Sequence, residues 1–229
     1  MNEFVESNDH VVDALAYRKA LIWWGQENFR AFPWRLTTNP YYILISEVML
    51  HRTQATQVIP VYERFIKRYP GVVALSKAAR EDLHDILYSL GLRWRIDLIF
   101  EMATELMEQF GGQIPESKEQ LLSLSGVSDY IAGAVLCFAW NLPESLADTN
   151  TIRVIGRVFG LEVKDSSRRN RTFKRLLARL VPQDQPRAYN YALLDLADKV
   201  CMKKQAPLCE QCPLVQWCMY ARQNGRYMA

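Results

Sequence analysis

The stretch Leu124-Ser125-Gly126-Val127-Ser128-Asp129-Tyr130-Ile131-Ala132-Gly133-Ala134-Val135 reads as the end of one helix, a four-residue turn built around Gly126, and a second helix capped by Ser128 or Asp129. The start of that second helix offers unpaired backbone N–H groups, which hold a phosphate without reading base sequence. An ordinary helix-turn-helix corner has the same spacing, so the stretch by itself fixes local structure and leaves function open.

Working outward, the same helical grammar recurs. Leu98, Met102, Leu106 and Phe110 repeat at spacing four and stop at Gly111-Gly112, an amphipathic helix with a glycine terminus. Ser117 followed by Gln120 makes a capping box after Pro115, opening a helix that ends near Leu124. Val11 to Trp24 carries another apolar stripe. Alternating period-two stretches are almost absent, so the expected fold class is all-α.

With 49% hydrophobic residues in 229, the chain can bury one large core or two modest ones. No uninterrupted apolar run is long enough to span a bilayer, and no signal-peptide pattern opens the sequence, so a soluble cytoplasmic protein without a membrane partner is expected. Net charge is only +3, but residues 150–229 hold 15 Lys+Arg against 6 Asp+Glu, leaving 13 against 19 in residues 1–149. A +9 segment beside a −6 segment points to a polyanion contacting mainly the C-terminal part. The run Arg168, Arg169, Arg171, Lys174, Arg175 and Arg179 also reads as a plain solvated face.

Four of the five cysteines, Cys201, Cys209, Cys212 and Cys218, fall within eighteen positions as C-x7-C-x2-C-x5-C. Tetrahedral zinc and an iron–sulfur cluster compete for four thiolates. Zinc sites usually pair two short C-x2-C units across a longer segment. Here three cysteines form one compact run with the first set apart, which favours the cluster. Disulfides fit poorly with an odd cysteine count and no secretion signal. The fifth, Cys137, lies in an apolar run and reads as a buried small hydrophobe.

Taken in order, Phe32-Pro33-Trp34-Arg35, Ser46-Glu47-Val48-Met49-Leu50-His51-Arg52-Thr53-Gln54, the Gly126 hairpin, Asp148 and the four cysteines make the chain resemble the helix-hairpin-helix (HhH-GPD) DNA glycosylases, which include endonuclease III. The likeness covers roughly residues 18 to 220 and is nearest to the thymine mismatch and adenine members. It implies two helical domains: a six-helix barrel bearing the hairpin over residues 36–145, and an iron–sulfur domain built from residues 1–35 and 146–229. It also implies a monomer acting on double-stranded DNA that contains a mismatched base, within the nucleoid, with a 4Fe-4S cluster on the four cysteines.

Roles follow position by position. Asp148 takes the place of the family's catalytic aspartate, whose carboxylate stabilises the positive charge that builds on the sugar as the N-glycosidic bond breaks. The same residue reads independently as a helix N-cap. Asn150 matches a residue near the flipped nucleotide's backbone, and Gly126 and Ser128 belong to the phosphate-holding hairpin. Arg52 and Leu92 match the wedges that fill the gap left by an extruded base. Glu47, among Ile43, Leu44, Ile45, Val48, Met49 and Leu50, has surroundings that favour a neutral acid. Tyr130 stands where the bifunctional members carry a lysine that forms a Schiff base. A phenol forms no imine, so a monofunctional enzyme without strong strand-cleaving activity is expected.

Tyrosine at that position and Gly91-Leu92, where adenine enzymes usually carry an aromatic pair, favour excision of thymine, and of uracil, from T·G and U·G mispairs. Adenine removal from mispairs with guanine or 8-oxoguanine, and lesion binding without catalysis, are the alternatives. The hairpin departs from the family's usual L-P-G-V-G: Ser125 replaces the proline and Ser128 the second glycine.

Overall fold

The computed structural model describes residues 4–7, 10–91 and 94–226. Its backbone divides into two compact units, one of Met1–Arg30 with Leu142–Ala229 and one of Ala31–Asn141.

The first unit opens with a departure from the all-α expectation. Strands β1 (Phe4–Ser7) and β2 (His10–Asp13) pair antiparallel, with Val5 opposite Val12. Val5, His10 and Val12 are buried while Phe4, Glu6 and Val11 are exposed, the alternation of a half-buried hairpin. Valines at 11 and 12 favour extended backbone. The apolar stripe read as one helix from Val11 therefore begins as strand. Asp13 marks the change, its Oδ1 accepting from the N–H groups of Leu15 and Ala16 at 3.0 and 3.1 Å to start α1 (Ala14–Asn28).

The second unit is helical among its described residues: α2 (Pro40–Leu50), α3 (Ala55–Arg68), α4 (Val72–Leu75), α5 (Arg80–Leu87), α6 (Trp94–Phe110), α7 (Lys118–Leu122) and α8 (Asp129–Trp140). Asn39 caps α2 ahead of Pro40, whose missing N–H costs nothing at that position. Helix α2 is buried on almost every side and packs on α3 and α8; α6 packs on α4 and α5, and α7 on α8. Each fully buried Leu or Ile, such as Leu44 and Ile45, contributes about 1.5–3 kcal/mol over its exposed state. Cys137 is buried within α8.

The first unit resumes with α9 (Thr149–Phe159), α10 (Arg171–Leu180), α11 (Pro186–Lys199) and α12 (Met219–Gln223). Helix α1 lies against α11 so closely that a Cβ at Gly25 would overlap the Ala192 side chain. Helices α10, α11 and α12 each pack on α9, and Tyr17, Leu21, Ile155, Phe159, Leu193 and Leu196 sit in their shared core. Asp195, fully buried, is paired with Arg30 at 2.5 Å, the compensation a buried carboxylate needs.

Candidate functional site

Asp148 is the N-cap of α9, and its surroundings are dense with donors. Oδ1 accepts the backbone N–H of Asn150 at 2.9 Å and of Thr151 at 2.7 Å, and Oδ2 accepts the Asn150 side-chain amide at 2.8 Å. Thr151 closes a capping box: its Oγ1 accepts the Asp148 N–H at 3.0 Å and donates to the Leu146 carbonyl at 2.7 Å. Of the carboxylate's four lone-pair positions, three are taken by these donors, and among the described residues none takes the fourth, on Oδ2. The Asp148 side chain is therefore fixed in orientation, half-buried, and able to accept one more proton donor.

Asn150 is exposed and is itself steered, its Oδ1 accepting from Arg153 Nη1 at 3.1 Å. Arg153 and Arg157, which the sequence reading passed over, run along one face of α9. Arg153 donates to the carbonyls of Cys201 and Ala197 at 2.9 and 2.8 Å; Arg157 donates from Nη1 to Cys201 Sγ at 3.2 Å and to the Met202 carbonyl at 3.0 Å. Their spacing of four on an apolar-faced helix was the available signal.

All four clustered cysteines border the first unit's core, Cys209 and Cys218 buried, Cys201 and Cys212 half-buried, and none forms a disulfide. Burial raises the thiols of Cys209 and Cys218 above their ordinary range and pushes Cys212 up to about 12; each of these three also feels the charge of other cysteines in the set. Among the described residues no three His, Cys, Asp or Glu side chains are gathered as ligands of a single metal ion. Four thiols bordering one core, with the Arg157 guanidinium 3.2 Å from Cys201 Sγ, are the donors a sulfur-ligated group would use, and holding one would require the buried thiols to give up their protons.

The second unit holds the hairpin. Gly126 sits at φ +80°, and a Cβ there would lie 3.1 Å from Leu98 of α6, so both backbone and space call for glycine. Ser128, not Asp129, is the N-cap of α8, its Oγ accepting the Ile131 N–H at 3.3 Å. Asp129 instead pairs with Lys118 of α7 at 3.4 Å. Ser125, the departure from proline, donates its N–H and its hydroxyl to the two oxygens of Glu105 at 2.6 and 2.7 Å. Glu105 lies twenty residues upstream, and no local pattern marks it. Gly126 and Ser128 are exposed at the turn, and Tyr130, in the first turn of α8, is half-buried.

Glu47 is buried at 6% exposure in the middle of α2, on the helix that packs against the one bearing Tyr130. Arg52 is exposed in the turn that follows α2, with φ +62°, a left-handed conformation rare outside glycine. The other wedge candidate, Leu92, lies outside the described residues. Glu47, Arg52, Gly126, Ser128 and Tyr130 thus belong to the second unit, and Asp148, Asn150 and the four cysteines to the first. Among the described residues no helix is long and apolar enough to cross a membrane.

Comparison with known proteins identifies the chain's relatives. Residues 45–180 match the model of the HhH-GPD superfamily of base excision DNA repair proteins. The thymine-DNA glycosylase of Aeropyrum pernix is 40% identical over 90% of this chain and 94% of its own length. The thymine/uracil-DNA glycosylase of Pyrobaculum aerophilum is 39% identical over 94% and 96%. The solved structure of a thermostable thymine-DNA glycosylase superposes with a TM-score of 0.86 at 29% identity, covering 92% of this chain and 97% of that one. With the hairpin, the capped aspartate and these matches in agreement, the chain belongs to the HhH-GPD superfamily of base excision DNA repair proteins.

Proposed function

We propose that this protein is a monofunctional DNA glycosylase that removes thymine, and uracil, from T·G and U·G mispairs in double-stranded DNA. The observation that carries the substrate is the pair of relatives at 39 and 40% identity, matched over at least nine-tenths of each partner's length and named for thymine or thymine and uracil. The catalytic proposal rests on Asp148, a carboxylate held by three donors with one lone pair to spare.

The chemistry follows from those groups. A mispaired nucleotide leaves the stack at a cost of a few kcal/mol, less than a matched one. Arg52 enters the vacated space, and the turn around Gly126 with the α8 N-terminus holds backbone phosphate. The C1′–N1 electron pair departs with the base, and the sugar becomes cationic. Asp148 stabilises that charge and, through the free position on Oδ2, orients the water that supplies oxygen to C1′. One proton of that water ends on the released base, with Glu47 shaping the pocket or relaying it. Tyr130 contacts the extruded nucleotide but has no amine, so the product is an intact abasic strand.

A 4Fe-4S cluster on Cys201, Cys209, Cys212 and Cys218 is part of the proposal; it would cross-link the segment between α11 and α12 and so serve a structural role. The protein would act as a monomer in the cytoplasm, on the nucleoid. Incubation with duplexes carrying T·G, U·G, A·G, A·8-oxoguanine or C·G, followed by alkali, tests the reading. Strand breaks at T and U opposite G, and only after alkali, are expected. Breaks at A would establish the adenine alternative, and retention of duplex without breaks would make the protein a silent binder.

A further inference from the structure

We infer that Arg95 is a positioning residue for nucleotide extrusion, its guanidinium bracketing the Arg52 turn and holding it ready to enter the duplex. The inference rests on the reading of Arg52 as the residue that fills the vacated space.

Arg95 is the second residue of α6 and only 3% exposed. Its Nη1 donates to the Met49 carbonyl and its Nη2 to Thr53 Oγ1, both at 2.9 Å. Those two acceptors flank Arg52, the residue at φ +62°. Met49 O is one of the last carbonyls of α2, which have no acceptor role within their own helix, and the Thr53 N–H closes the turn onto Leu50 O at 3.1 Å. A left-handed residue with a long side chain is strained and persists where its neighbours fix it. The planar fork of a guanidinium is suited to gripping two points at once, which an ammonium is not.

A second contact spans the same gap, since His51 of the turn and Trp94 of α6 meet edge to face at 5.7 Å. The arrangement is expensive for a purely structural device. The guanidinium hydrogen bonds go to a carbonyl and a hydroxyl, its Nε–H has no hydrogen-bond partner among the described residues, and burial lowers its pKa. A buried cation satisfied this incompletely costs stability that an apolar side chain would not. Such a cost is typical of groups kept for function.

The test compares two substrates in single-turnover excision: uracil paired opposite guanine in a duplex, and uracil inside an unpaired bubble, where no extrusion from a stack is needed. Arg95→Met should lose about 10- to 100-fold on the paired substrate, the scale of a displacement of about 1 Å, and less than about threefold on the bubble. Arg95→Lys should fall short of rescue. Thr53→Val removes one arm of the bracket without touching the buried charge and should show a smaller loss of the same selectivity, so the inference stands or falls even if Arg95→Met folds poorly. Equal losses on both substrates, or none, in the Thr53→Val and Arg95 variants would overturn the bracket. If Arg52→Ala shows the selective loss and these variants do not, the reading of Arg52 survives while the bracket fails. If Arg52→Ala is equally active on both substrates, that reading fails and the inference falls with it.

Discussion

Replacing Ser125 by proline restores the residue common at this hairpin position, and on grounds of family likeness alone it should be neutral or stabilising. The structure gives the opposite sign. Ser125 contributes two donors, N–H and hydroxyl, to the Glu105 carboxylate at 2.6 and 2.7 Å, and proline supplies neither. Hydrogen bonds to a charged acceptor are worth about 1.5–3 kcal/mol each when buried. Glu105 is half-buried, so water recovers part of the loss, and the pair together is worth about 2–4 kcal/mol. Proline returns about 0.4–1 kcal/mol by restricting the unfolded chain. The net expectation is a loss of about 1–3 kcal/mol, or roughly 2–12 °C in Tm for a chain of this size. Calorimetry or urea denaturation of Ser125→Pro, Glu105→Gln and the double variant measures it, and the two substitutions should couple by more than about 1 kcal/mol. A Ser125→Pro protein as stable as the parent, or additive losses in the double variant, would refute the Glu105 latch.

Other expectations follow from single contacts. Gly126→Ala must adopt φ +80° and press a methyl against Leu98 at 3.1 Å, so denaturation should register a loss of about 1–3 kcal/mol, with weakened affinity for undamaged duplex in a gel-shift assay. Tyr130→Lys places an amine where the bifunctional relatives carry one; borohydride should trap a covalent protein–DNA adduct, and its absence would leave Tyr130 without a place beside the sugar. The purified protein should be brown and contain four irons per chain. Cys212→Ser should lose both colour and iron, whereas a colourless protein containing zinc would overturn the cluster.

Legibility in the sequence tracked the range of the interactions involved. Helix ends were readable because their causes are local: Gly111 and Gly112 end α6 with positive φ, Ser117 caps α7, and Asp148 caps α9. Ser128 and Asp129 were equally good caps on paper; the contact of Asp129 with Lys118 separates them. The β1–β2 hairpin escaped because each strand has four residues and β2 runs directly into α1, so one apolar window covers both periodicities. Candidate site residues were legible where a family pattern marked them. Arg95 and Glu105 were not, since their partners lie 42 and 46 residues and 20 residues away along the chain. Ser125, which looked like a weakened hairpin, is tied to α6 by two bonds that proline cannot make.

One carboxylate carries the proposed chemistry, and the decisive measurement is the single-turnover rate of base release from a T·G duplex by the parent and by Asp148→Asn. An amide keeps the shape but removes the charge and turns an N–H toward the Asn150 amide, now 2.8 Å from Oδ2. The variant should bind the duplex with affinity close to the parent's and release base at least about 10³-fold more slowly, equivalent to about 4 kcal/mol of lost transition-state stabilisation. An unchanged rate would remove Asp148 from the chemistry and contradict the proposed mechanism.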